Sequence, residues 1–398
     1  MRALGRSGVL AVLACTVTCA SGCARIGLGT GDYTWFGGQE RLEAGSGPMR
    51  VRWARPLTRE LESTSYVPVE LAVPILDAEH DRVYVGSTNG ALWAFNAGGG
   101  PIYRVDARGG VESAPALDAA HDQLYVATTE GVLHALRASN GQPRWRRDVG
   151  GAVRNAPVLT ADTVYVVTTN DVLTALSRTA GETLWTYRRD PLEGFAVTGH
   201  AGLTLVGGKL LAAFTDGVVV ALDAGDGHVL WERDTGLDLE EAAQGSPRFL
   251  DVDTTPIVVG HVVYVASFSA GLYAIDLEAG GTNWRKPEVV GVVASALAGD
   301  RLLLSSAEAG LTCMSLGDEQ VQWRRPALRG APAMPVVVNG LVLVGESEGG
   351  FLALELATGH EVGRIEAGAG FSAAAAVSGS LGFVLSNGGS LMAFRLGA

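Results

Sequence analysis

The chain is poor in cysteine. Four occur in 398 residues, and Cys15, Cys19 and Cys23 crowd the N-terminus, leaving Cys313 alone in the body of the chain. Once the N-terminal stretch is removed, no internal disulfide can form. Helical signals are almost absent: few Glu/Lys/Leu stretches recur near a period of about 3.6 residues. No long apolar run lies beyond the N-terminus. The seven histidines are scattered, His80 and His121 in turns and His228 and His360 in later Gly turns, and none has metal-ligand spacing. There is no nucleophile elbow, phosphate loop or dinucleotide fingerprint, and the Gly27-Leu28-Gly29 string is too weak to count as one. These absences argue against catalysis, a metal and a bound cofactor. Basic residues are also in deficit, 30 against 42 acidic, for a formal net charge of −12. Such a surface is unsuited to wrapping nucleic acid or lying flat on anionic lipid.

What is present begins with a targeting segment. Arg2 and Arg6 precede an apolar run from Val9 to Ala20, which is too short to span a bilayer, and the small residues Ala20-Ser21-Gly22 lead directly to Cys23. Small residues followed by Cys resemble a bacterial lipobox, with Ala20 where Leu is usual. The resemblance implies cleavage after residue 22 and acylation of Cys23, with an ordinary secretory peptide cut nearby as the alternative. Ala24 after the Cys, where Asp would retain the protein at the inner membrane, implies the inner leaflet of the outer membrane. Residues 23–49 then read as a lipidated Cys and flexible tether: seven Gly fall between 24 and 49, without apolar periodicity.

From residue 50 to 398 the chain reads as one domain, and past residue 70 it repeats. Short Val-Tyr-Val strands are followed by x-Leu-x-Ala-Leu strands, with marker residues 11 apart in eight copies, from Tyr84/Phe95 to Phe383/Phe394. A small residue precedes the second marker each time: Ala94, Ala135, Ala175, Ala221, Ala274, Cys313, Ala353 and Ala393. Turns such as Asn89-Gly90 and Asp216-Gly217 suit tight hairpins. A later strand carries an aromatic column of Tyr103, Trp145, Trp185, Trp231, Trp284 and Trp323, with Gly363 the one lapse. Four strands recurring about every 40 residues predict an all-β, eight-bladed propeller of antiparallel blades. Repeat eight lacks its last strand, and Val51-Arg52-Trp53-Ala54 supplies one, closing the ring from the N-terminal side. Cys313 sits in the small-residue column and is expected to be a buried structural thiol.

The repeats, with turns such as Leu222-Asp223-Ala224-Gly225-Asp226-Gly227 before Trp231, resemble the quinoprotein (PQQ-type) repeat. Together with the lipobox and Asp251-Val252-Asp253-Thr254-Thr255-Pro256, they are similar to the BamB family, the lipoprotein subunit of the machine that assembles outer-membrane β-barrels. Independently, the distance from each aromatic to the next core strand is 19 to 22 residues in five links, 26 from Trp185 to Leu211 and 33 from Trp231 to Tyr264. The extra length falls in consecutive inter-blade connections, about 187–200 and 235–253, expected to be neighbours on one face and to carry recognition. In the resembled family the matching loops contact a periplasmic POTRA domain of BamA, and paired acids there correspond to Asp251 and Asp253. The family's Leu/Arg stretch is matched by Pro191–Gly199 without an Arg, making Leu192 and Phe195 the candidate apolar anchors. The alternatives at these residues are rim packing for Phe195 and a turn cap for the Asp pair. The resemblance implies a non-catalytic scaffold with no cofactor. Two other readings remain: a propeller binding a sugar or cell-wall ligand or acting as a sensor, and a quinoprotein dehydrogenase.

Overall fold

The computed structural model describes residues 45–58, 69–189, 200–239, 249–326 and 329–397, together with the backbone of a small hairpin, Tyr33–Thr34 with Arg41–Leu42. Eight four-stranded antiparallel sheets follow one another around a ring, the propeller that the repeat predicts. Blade 1 is Ile75–Asp77, Arg82–Gly86, Ala91–Asn96 and Pro101–Asp106. Blades 2 to 7 repeat that order, so each first strand lines the hub and each fourth strand forms the rim. Blade 8 takes Ala376–Ser378, Leu381–Leu385 and Ser390–Leu396 from the C-terminal end and Met49–Pro56 from the N-terminal end. Trp53 stands opposite Ala393, so the last blade is closed by the first strand of the domain, and no blade is left short of its rim.

Register explains the two columns. The small residue of the third strand lies directly across from the aromatic of the fourth: Ala94 with Tyr103, Ala135 with Trp145, Ala175 with Trp185, Ala221 with Trp231, Ala274 with Trp284 and Cys313 with Trp323. A larger residue there would fill the space that the ring leaves against the next blade. Each ring reaches that blade. Trp145 Nε1 donates to the Arg178 carbonyl at 2.9 Å, Trp231 to Leu277 at 2.9 Å and Trp323 to Leu356 at 2.9 Å. The turn that receives the ring needs glycine twice over. Gly181 has φ +68°, and a Cβ there would lie 2.5 Å from the Trp145 ring. The buried apolar residues accordingly group between blades, as where Val83, Val85 and Phe95 of blade 1 pack against Phe383, Leu385 and Leu391 of blade 8. Cys313 is fully buried in one such cluster, and burial pushes its thiol pKa up, as suits a structural residue.

The lapse at Gly363 has a cause that the repeat alone does not reveal. The chain entering blade 8 crosses blade 7 at this point, with the Ser46 N–H bonded to the Arg364 carbonyl at 2.9 Å. A Cβ on Gly363 would lie 2.3 Å from the Ser46 carbonyl oxygen. The entering segment occupies the place that an aromatic fills in the other blades, and Met49 behind it is fully buried.

Candidate functional site: the bases of two enlarged connections

The connections between blades and the turns between second and third strands share one face. In blade 1, for example, the Ala107 N–H bonds to the Gly90 carbonyl and the Val111 N–H to that of Ser87. The two enlarged connections, from blade 3 to 4 and from blade 4 to 5, emerge there. Their tips, 190–199 and 240–248, lie outside the described residues, and so do Leu192, Phe195 and Cys23. Their bases are described and are bonded to each other. Gly202 N–H donates to Thr255 Oγ1 at 2.8 Å, and Thr204 Oγ1 donates to the Pro256 carbonyl at 2.6 Å.

Each take-off and landing is clamped. The first connection leaves after Arg189, whose guanidinium reaches Asp216, Glu232 at 3.1 Å and the Tyr187 hydroxyl at 3.0 Å. It returns at His200, whose carbonyl accepts from Asn155 Nδ2 at 2.8 Å. Burial, and then the Arg154 charge, hold the His200 imidazole below its ordinary pKa, which favours the neutral ring. The second connection leaves through a 3₁₀ turn, Gly236–Asp238, where Asp238 accepts from Arg233 and, at 3.0 Å, from the Tyr273 hydroxyl. It returns past Phe249, packed edge-on against Phe268 with centroids 5.6 Å apart.

Asp251 and Asp253 stand just inside this return and are 2% and 4% exposed. The segment between Leu250 and Pro256 is pinned by backbone and side-chain bonds: Val252 N–H to the Phe214 carbonyl at 3.2 Å, Phe268 N–H to the Asp251 carbonyl at 2.8 Å, and Ala266 N–H to Thr254 Oγ1 at 2.7 Å. Burial, and then the Asp251 charge, push the Asp253 carboxyl up to about 7. Asp171, buried in the blade 3 turn and capping Thr215, is likewise raised: burial pushes it up first, its hydrogen bonds with Thr215 oppose this, and the Asp216 and Asp251 charges add to the rise. The two acids that the sequence singles out thus belong to a buried acidic group under both connections.

Sequence reasoning passed over Leu237. It lies in the 3₁₀ turn of the second connection and is 78% exposed. Val290 and Met334, on the next two connections of the same face, are also exposed. Leu239, Phe249 and Leu250 share the connection of Leu237, so the sequence alone does not mark Leu237 as the exposed one. Elsewhere, Asp223, Asp226 and His228 bring three ligand-type atoms together. They sit in an exposed turn whose N–H groups they cap, Gly225 to Asp223 at 2.7 Å and His228 to Asp226 at 3.1 Å. The hub-lining strands carry no aromatic among the described residues: Ala116–Asp118 reads Ala-Leu-Asp, Ile257–Val259 Ile-Val-Val and Val336–Val338 Val-Val-Val.

Residues 116–325, a little over half of the chain, match the family described as "Outer membrane protein assembly factor BamB". The protein of that name from Salmonella typhimurium is 32% identical over 212 residues, 53% of either chain. The matches span about half the length of the curated relatives. Among solved structures, BamB from Moraxella catarrhalis superposes with a TM-score of 0.72 at 21% identity, covering 87% of this chain and all of that one. The quinohemoprotein alcohol dehydrogenase ADHIIG from Pseudomonas putida HK5 superposes with a TM-score of 0.67 at 13% identity, over 88% of this chain and 76% of that one. At such identities both likenesses speak to fold alone.

Proposed function

The chain belongs to the BamB family of outer membrane protein assembly factors, and from that premise we propose that it is a non-catalytic scaffold of barrel assembly, docking on the POTRA domains of BamA through the two enlarged connections. The observation that carries the reading is the pair of hydrogen bonds, Gly202 to Thr255 and Thr204 to Pro256, that makes the bases of those connections a single unit. A rigid base beneath two long loops is how a binding surface is held on a propeller. Exposed Leu237 supplies an apolar contact next to it, with Leu192 and Phe195 as the anchors of the other loop. Asp251 and Asp253 are buried, so their part in partner binding is to brace the second connection from beneath.

Cys23 carries the lipid in this reading, tethering the wheel to the periplasmic face of the outer membrane. Among the described residues the hub-lining strands offer no ring on which a planar quinone or a sugar could stack, which favours a scaffold over the dehydrogenase and ligand-binding alternatives. Affinity purification of the lipidated protein tests the proposal. BamA should be recovered with the wild type and lost with Leu192→Asp/Leu237→Asp, a variant that melts like the wild type. Recovery of neither BamA nor any other assembly subunit would refute it.

A further inference from the structure

The rim of the wheel is sorted by charge. The residue just before the aromatic in each fourth strand forms the outermost ring of the molecule, and on four consecutive blades it is Arg52, Ile102, Arg144 and Leu184. Both arginines are exposed, and the aliphatic residues between them are 43% and 53% exposed. Beside the acids Asp106 and Asp148, the same arc holds exposed Arg50 and Arg395 on blade 8, Arg104 on blade 1, and the arginines Arg137 and Arg146 on blade 2. None of these arginines pairs with a carboxylate among the described residues, whose ion pairs lie elsewhere. Arg50 turns its guanidinium to the carbonyls of Gly45 and Gly47 instead.

On the other half of the wheel, blades 4 to 7, acids outnumber bases at the rim. The rim of blade 4 carries Asp223, Asp226, Glu232 and Asp234 against Arg233, and that of blade 7, which adjoins blade 8, carries Glu355, Glu361 and Glu366 against Arg364; Arg285, Lys286, Arg324 and Arg325 are the bases of blades 5 and 6. Charge of either sign would guard an open strand edge against pairing with another chain. Edge protection therefore does not explain why the signs are segregated. Nor is the arrangement favourable in itself. Arg50 and Arg395 stand directly opposite on neighbouring strands, a position where like charges repel.

We propose that the outer rim of blades 8, 1 and 2 rests on the anionic phospholipid headgroups of the membrane that holds the anchor, setting the wheel edge-on. The net negative charge of the chain argues against lipid contact only if the charge is spread evenly, and it is not. Interleaved arginine and aliphatic side chains are the composition of a surface that sits at a lipid interface. The tether reaches this arc over the neighbouring blade 7, where Ser46 is bonded to Arg364, and the fourth strand of blade 8 begins at Met49. The arc lies opposite blade 5, so the edge-on wheel keeps its enlarged connections clear of the lipid and available to a protein. The proposal rests on acylation of Cys23 for its approach to the membrane, though not for its choice of face.

The test uses the full lipidated chain in vesicles. A donor dye is placed at exposed Gln142→Cys in the blade 2 turn or at exposed Thr282→Cys on blade 5, with acceptor lipids in the bilayer. Energy transfer from position 142 should be higher in phosphatidylglycerol-containing vesicles than in phosphatidylcholine vesicles. It should fall to the neutral value at about 1 M salt, where the screening length is ~3 Å. It should fall likewise in Arg52→Glu/Arg144→Glu/Arg146→Glu, while position 282 stays distant throughout. Equal transfer in both lipids, or a difference that survives the triple variant, overturns the proposal. Flotation on neutral vesicles reads the anchor separately. A chain that floats on anionic vesicles alone, at low salt, keeps the rim and refutes the anchor; one that floats on neither refutes both.

Discussion

The N–H of Gly202 at the end of the first enlarged connection is bonded at 2.8 Å to the hydroxyl of Thr255 at the end of the second. The two connections therefore share a base, and a change in one is felt by the other. Thr255→Val removes the acceptor and leaves the Gly202 N–H without its partner, at a cost of about 1 kcal/mol. The expected outcome is weaker capture of the partner with little change in melting temperature, measured by affinity purification beside a thermal melt. Unchanged capture would mean that the bases act independently.

Trp145 wedges blade 2 against blade 3, with its Nε1 on the Arg178 carbonyl and its ring under Gly181. Trp145→Ala should cost about 3 kcal/mol in a denaturant melt, from lost packing and a cavity between blades. Trp93, which stacks on Phe95 with centroids 5.7 Å apart and does not cross to another blade's turn, should cost less when replaced by Ala. A larger loss at Trp93 than at Trp145 would contradict the wedge.

Gly363 faces the segment that enters blade 8, so Gly363→Ala must push the Ser46 carbonyl aside. The expected result is loosening of the closure, read as faster amide exchange at Met49–Pro56 than in the wild type. Unaltered exchange would show that the crossing has slack.

The Asp253 carboxyl is raised from 3.8 to about 7, by burial first and by Asp251 second. The folded chain therefore binds a proton more tightly than the unfolded one. The stability linked to this group is fully present below pH 3.8, declines as the unfolded form ionises, and is lost as pH passes about 7. Melting temperature should fall between about pH 4 and pH 7, and Asp253→Asn should flatten that slope. A slope unchanged in Asp253→Asn would assign the dependence to other groups.

Much of the architecture could be read from the residues. The Ala and Trp columns recur because one cross-strand position is repeated in blade after blade, and a period of that kind survives in sequence. Ring closure by Trp53 was readable for the same reason, since the eighth copy lacked its aromatic and a spare stood upstream. Gly363 was not readable, because its neighbour Ser46 is more than three hundred residues away along the chain. The burial of Asp251 and Asp253 was hidden in the same way: a loop acid looks exposed until the neighbouring blade that covers it is in place. The excess of arginine over acid on one arc of the rim appears only when the repeats are bent into a circle.

Site-specific photocrosslinking in cells tests the docking surface most directly. A crosslinker at Leu237, on the face of the enlarged connections, should capture BamA. The same group at Glu278, in an exposed turn on the opposite face, should not. Capture of BamA from position 278 and not from 237 would contradict the account.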